Sequence, residues 1–190
     1  MKEIVILGGP NGAGKTTTAC ALLPHLFRDG IFLNADEIAR TRMRGHAASA
    51  DFAAGRMLLS SMHRFIGEAR SFALETTCAG KSYIPLLRSC RKDGWRITLL
   101  YLWLSSPQLS RERVAHRVSQ GGHDIPADVI ERRFRTGLRN MLHLYLPLAE
   151  EAEIYDNSGK RRVLVAEKRA DGPVIVHEQR IWMLMRETAQ

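Results

Sequence analysis

The sequence predicts an α/β fold in which a mostly parallel sheet of five strands is flanked by helices and followed by a C-terminal β-hairpin. Three observations carry this. Short apolar, β-branched runs alternate along the chain with segments of helical periodicity. The run at 97–104, interrupted only by Thr98, is apolar on both faces, as a strand at the centre of a helix-covered parallel sheet must be. The earliest strand ends in a glycine cluster that opens directly into a helix. The 190 residues suit one domain, 1–190, with one well-buried core.

Each element has its own signal. Ile4 to Leu7 reads as the first buried strand and residues 19–26 as the helix after it, stopped by Gly30. Residues 31–33 form a short second strand that runs into Asn34-Ala35-Asp36-Glu37-Ile38. Phe52, Leu58, Leu59, Met62, Phe65 and Ile66 recur at helical spacing and predict a long amphipathic helix over 49–70. The segment 71–77 is the third strand, and a helix over 83–92 ends at Gly94. After the fourth strand, Ser106 can cap a helix whose first turn accommodates Pro107. A loop at 120–126 bends the chain into a second helix over 126–146, which Pro147 weakens. Residues 153–159 give the fifth strand and a turn. Val163-Leu164-Val165 and Val174-Ile175-Val176 flank Asp171-Gly172-Pro173 as a hairpin, and a short helix with Trp182, Leu184 and Met185 closes the chain. Residues 107–146 are thus expected to form a helical lid, and residues 160–188 a terminal hairpin and helix.

Composition narrows the function. With 45% hydrophobic and 25% charged residues and no apolar run long enough to span a bilayer, the chain reads as soluble, and without a signal peptide as cytoplasmic. Cys20, Cys78 and Cys90 have no metal-site spacing and are expected reduced and mostly buried. The net charge of +8 comes from 22 arginines against 6 lysines, a bias suited to bidentate phosphate contacts. Charge alone points to a phosphate-bearing partner without choosing a small molecule over nucleic acid.

The chemistry is concentrated in the loop Gly9-Pro10-Asn11-Gly12-Ala13-Gly14-Lys15-Thr16-Thr17. Gly9, four residues, then Gly14, Lys15 and Thr16 complete the pattern G-x-x-x-x-G-K-[ST] between a strand and a helix, the context a P-loop NTPase fold requires. Glycines let successive backbone N–H groups face phosphate oxygens, Lys15 neutralises the β- and γ-phosphates, and the Thr16 hydroxyl ligates Mg²⁺. ATP and Mg²⁺ are the cofactors this implies. Asp36, just past the second strand, can take the proton of an acceptor hydroxyl, or it can cap the helix beginning at Glu37. Glu75 can hold a water of the Mg²⁺ shell or an acceptor hydroxyl, or be a strand-end charge. Seven arginines between 111 and 139 flank the Gly121-Gly122 bend and resemble a lid closing over phosphates, although any one of them can be a solvated surface charge. His123 within the bend can be catalytic, but with no partner in the sequence it is read as capping or ordering the loop.

Taken in order, GGPNGAGKTT at 8–17, NADEIA at 34–39, LETTCAG at 74–80, RVAHRVSQGGHDIP at 113–126, ERRF at 131–134 and YDNSG at 155–159 resemble the zeta-toxin-like P-loop kinases over about residues 3–159. The resemblance implies a kinase of the type that phosphorylates the 3-hydroxyl of UDP-N-acetylglucosamine, and it admits a protein antitoxin as partner. By match, Lys15 and Thr16 contact nucleotide and metal, and Asp36 is the general base. Glu75 and Thr77 belong to the acceptor-site E-x-T motif, while Arg117 and one of Arg132 or Arg133 bind phosphate. The expected function is transfer of the ATP γ-phosphoryl group to a hydroxyl of a small phosphorylated acceptor. A polynucleotide or nucleoside kinase is the second reading. A nucleotide-hydrolysing switch is the third, and it lacks an N-K-x-D motif.

Overall fold

The structure, a computed structural model, describes residues 2–26, 31–34, 47–122 and 124–190. Its strands are β1 (Glu3–Gly8), β2 (Phe32–Asn34), β3 (Phe72–Thr76), β4 (Arg96–Trp103), β5 (Glu151–Asp156), β6 (Val163–Lys168) and β7 (Val174–Val176). Its longer helices are α1 (Lys15–Leu26), α2 (Ala47–Gly67), α3 (Ile84–Lys92), α4 (Pro107–Ser119), α5 (Ala127–Asn140) and α6 (Gln179–Thr188). The strands form one sheet in the order β2-β3-β1-β4-β5-β6-β7. The first five are mutually parallel, and β6 and β7 are antiparallel additions.

The sheet therefore has seven strands where five were expected, because the C-terminal hairpin continues it. Left bare, the outer edge of β5 would present unpaired N–H and C=O groups. β6 pairs with it from Ala152↔Lys168 to Asp156↔Val163, with an irregularity at Ile154/Tyr155.

Alternation along the strands divides the core between the two faces. Ile97, Leu99, Tyr101 and Trp103 of β4 join Ile4, Ile6, Phe72 and Leu74 on one face, packed against Leu58 and Met62 of α2, Leu87 of α3 and Leu138 of α5. On the other face Val5, Leu7, Ala73 and Leu100 meet Ala19 of α1. β1 lies between β3 and β4, so its carboxyl end sits at the point where successive connections leave in opposite directions, the usual ligand position in such sheets.

Ser106 caps α4 as expected, its Oγ accepting from the Leu109 N–H at 3.1 Å. The following helix departs from expectation: α5 stops at Asn140, a π turn occupies Met141–Tyr145, and a final turn covers Leu146–Leu148, where Pro147 falls in a first turn that needs no N–H from it. Cys78 and Cys90 are buried, but Cys20 is exposed. No helix among the described residues is long and apolar enough to cross a membrane.

Candidate functional site

The turn from β1 into α1 is a cradle shaped by close packing. Gly9 has φ +146°, and a Cβ there would lie 2.3 Å from the Leu102 carbonyl oxygen of β4. Only hydrogen fits. Gly12 and Gly14 also have positive φ, and the Ala13 N–H donates to Pro10 O at 3.2 Å. α1 begins at Lys15, so its N-terminal amides and the positive end of its dipole face the space the loop encloses.

Lys15 and Glu75 are buried at the floor of this cradle, with 7% and 8% side-chain exposure. Lys15 Nζ donates to Pro10 O at 3.0 Å and lies 3.9 Å from Glu75 Oε1. The other carboxylate oxygen accepts from Thr16 Oγ1 at 2.9 Å and from Asn34 Nδ2 at 3.0 Å. Register explains the meeting, since Asn34 lies directly opposite Glu75 across the β2–β3 pair and Glu75 opposite Leu7 across β1–β3. Glu75 is thus held against the Thr16 side of the phosphate loop. Thr77, two residues on, is partly buried, with its Oγ1 3.5 Å from the Ala79 N–H. Burial pushes the adjacent Cys78 thiol up to about 12, so it remains protonated at neutral pH.

Several residues that hold the loop reach it from far along the sequence. Asn157 Nδ2 donates to Ala13 O at 2.8 Å, and Ser110 Oγ donates to Asn11 O. Arg113 donates to Ser158 O at 2.9 Å, and Ser158 Oγ accepts from the Ser105 N–H at 2.8 Å. Arg162 donates to Thr18 Oγ1 at 2.8 Å while its guanidinium lies 5.6 Å from the centre of the Tyr155 ring. Asn11 is only 4% exposed, and its Oδ1 is a buried acceptor with no hydrogen-bond partner among the described groups. The motif YDNSG contains Asn157 and Ser158, but Ser110 and Arg162 act over 99 and 144 residues of sequence, beyond the reach of any pattern.

The arginines between 111 and 139 take different positions. Arg139 is turned to the chain end, donating to Ala189 O at 2.8 Å and to Gln190 O. Arg111 pairs with Gln108 in its own helix, and Arg113 braces the loop after β5. Arg117 is exposed at the end of α4, where its Cγ would be 2.7 Å from a Cβ at Gly122, so the bend packs on its aliphatic stem. Arg132 is exposed on α5. Arg133 is partly buried, four residues before the buried Gly137. Asp36 and His123 lie outside the described residues. Asn34, two residues before Asp36, ends β2 on Glu75.

Oxygen donors at Thr16 and Glu75 fit a hard divalent cation such as Mg²⁺, and the open loop with its helix N-terminus fits nucleotide phosphates. The zeta toxin family model matches residues 1–169. An uncharacterised protein of Haemophilus influenzae is 29% identical over 128 residues, which are 66% of this chain and 88% of that protein. Among solved structures, the complex AvrRxo1-ORF1:AvrRxo1-ORF2, determined with sulphate ions and also with ATP, aligns at TM-score 0.74 and 14% identity, covering 100% of this chain and 64% of the other. This chain therefore spans less than two thirds of that one. A structure from the PezAT chromosomal toxin-antitoxin system of Streptococcus pneumoniae aligns at TM-score 0.62 and 17% identity, covering 99% of this chain and 86% of that one. At such identities the two structures speak for the fold. With the family model matching most of its length and the phosphate loop folded as its motif requires, the chain belongs to the zeta toxin family of P-loop phosphotransferases and has their α/β architecture.

Proposed function

We propose that the protein is an ATP-dependent kinase that moves the γ-phosphoryl group to a hydroxyl of a small phosphorylated acceptor, a nucleotide sugar such as UDP-N-acetylglucosamine. The observation that carries this reading is the convergence of Lys15, Thr16 and Asn34 on Glu75 beneath a phosphate loop, which puts phosphate-neutralising, metal-ligating and carboxylate groups within one small volume.

On this reading Lys15 exchanges Pro10 O for the β- and γ-phosphates, and the backbone N–H groups of residues 12–16 take the remaining phosphate oxygens. Thr16 and a water held by Glu75 would bind Mg²⁺, whose charge offsets that of the β- and γ-phosphates. Asp36 accepts the proton of the acceptor hydroxyl as its oxygen bonds to the γ-phosphorus and the bond to the β-phosphate bridging oxygen breaks, leaving ADP. Thr77 seats the acceptor. Arg117 and Arg133 supply charge to the transferring group when the lid closes; partial burial favours Arg133 over the exposed Arg132. A cytoplasmic location belongs to the same reading, since ATP is its phosphoryl donor. The relation to a protein from a toxin-antitoxin system supports a protein antitoxin as partner.

Incubation with γ-labelled ATP, Mg²⁺ and a panel of nucleotide sugars, nucleosides and oligonucleotides tests the reading. Label should move to a nucleotide sugar, and Asp36→Asn should lower that transfer by about 10²–10⁴ with ATP binding retained. Label moving only to oligonucleotides would establish the polynucleotide kinase alternative, and release only to water the switch.

A further inference from the structure

Four successive carbonyls in the loop after β3 face one helical segment. A Cβ on Gly137 would lie 2.2 Å from Thr77 O, so the loop backbone rests directly on α5. Asn140 Nδ2 donates to Cys78 O at 2.9 Å and to Ala79 O at 3.0 Å. Tyr145 OH donates to Gly80 O at 2.8 Å. Asn140 is 3% exposed and Tyr145 is fully buried. The loop needs holding: Cys78 has φ +60°, a conformation that non-glycine residues adopt only when their surroundings impose it. Thr76 Oγ1 helps locally by accepting from the Cys78 N–H at 3.0 Å.

The π turn makes the grip possible. At about 100° per residue an α-helix would turn position 145 roughly 140° away from position 140. Bonding from i to i+5 over Met141–Tyr145 brings residues five apart back to one side, so Asn140 and Tyr145 reach the same loop. Arg133, Gly137 and Asn140 share a stripe of α5 at spacings of four and three.

We propose that Asn140, with Tyr145 and Gly137, is a positioning device that locks the acceptor-side loop around Thr77 to the arginine-bearing helix. The seat of the acceptor and Arg133 then keep a fixed separation. Asn140 suits the task because an amide offers two N–H donors to two adjacent carbonyls, whereas a carboxylate would repel both. The inference rests on the kinase reading in taking Thr77 as the acceptor's seat and Arg133 as a phosphate contact; the clamp itself is independent of that.

The test uses the full chain carrying Asn140→Ala, and Tyr145→Phe as a milder change that removes one hydroxyl and keeps the packing. Hydrogen exchange read by mass spectrometry should accelerate about tenfold or more at the amides of 77–80, with the rest of the sheet unchanged, because each lost bond holds this loop alone. ATP affinity by calorimetry should stay within about twofold, since the hydrogen bonds of Asn140 go to Cys78 O and Ala79 O. With whichever acceptor the panel identifies, KM should rise and kcat/KM fall about tenfold or more, with ATP affinity retained. Unchanged exchange at 77–80 in both variants would overturn the clamp, and so would acceleration spread evenly over the sheet. Wild-type acceptor kinetics alongside a loosened loop would overturn the positioning role. If no acceptor is phosphorylated, the kinase reading fails, and exchange with ATP affinity still decides the clamp. If Asn140→Ala does not fold, Tyr145→Phe decides it by exchange at 79–81.

Discussion

Gly9→Ala should cost both the phosphate loop and a large part of the protein's stability, for two separable reasons. At φ +146° an L-residue is strained by about 1–3 kcal/mol. The new Cβ would also stand 2.3 Å from Leu102 O, a backbone atom of β4 at the middle of the sheet that cannot rotate away, and such overpacking costs about 1–3 kcal/mol more. The sum is about 2–6 kcal/mol, which at about 2–4 °C per kcal/mol for a chain of this size lowers Tm by on the order of 10 °C. Relief can come only by lifting the loop off β4, so the ATP site is lost with the stability. Gly55→Ala is the control: it lies inside α2 with nothing within 4 Å of an added Cβ, and removing its backbone freedom should stabilise by about 0.5–1 kcal/mol. Thermal melting and ATP calorimetry on both variants decide the matter. A Gly9→Ala protein that melts within about 2 °C of wild type and binds ATP normally would refute the packing account of the loop.

Among the lid arginines, Arg133→Ala should reduce phosphoryl transfer by about 10³ or more while Arg132→Ala leaves it within a few-fold; equal losses in steady-state assays would contradict the assignment by burial. A thiol-alkylating reagent at pH 8 should modify Cys20 and spare Cys78, whose thiol is buried and pushed up to about 12, until denaturant is added; peptide mapping by mass spectrometry reads both sites. A hydrogen bond from Arg91 holds the Asp171 carboxyl below its usual value, with burial opposing and Lys168 assisting. Folding therefore favours the ionised form, and the stability this contributes is present above the unfolded value of about 3.9 and lost as pH falls through the lower folded one. Asp171→Asn should flatten the acid limb of the stability curve in urea titrations and change little at pH 7, since the half-exposed pair is screened by solvent.

The phosphate loop, the alternation of strands and helices, the cap at Ser106 and the family resemblance were all legible in the sequence, because each depends on neighbours within a few residues or on a motif whose chemistry dictates its spacing. Local pattern also gave the right strands at the C-terminus but not their place, since nothing within Val163–Lys168 says that its partner is the open edge of β5. The same limit hid the site's supports. Glu75 reads as a strand-end charge until the register of β2, β3 and β1 brings Asn34 and Thr16 onto its carboxylate. The arginines read as one cluster until the helices are placed and Arg139 turns to the chain end, Arg113 to Ser158, and Arg133 is partly buried where Arg132 is exposed. Sequence periodicity assumes one helical pitch, so a turn that widens to i→i+5 and swings Tyr145 beside Asn140 has no signature before the helix packs. The residue types needed for phosphate chemistry are written locally, whereas the distances between them depend on long-range contacts that only the packed chain brings together.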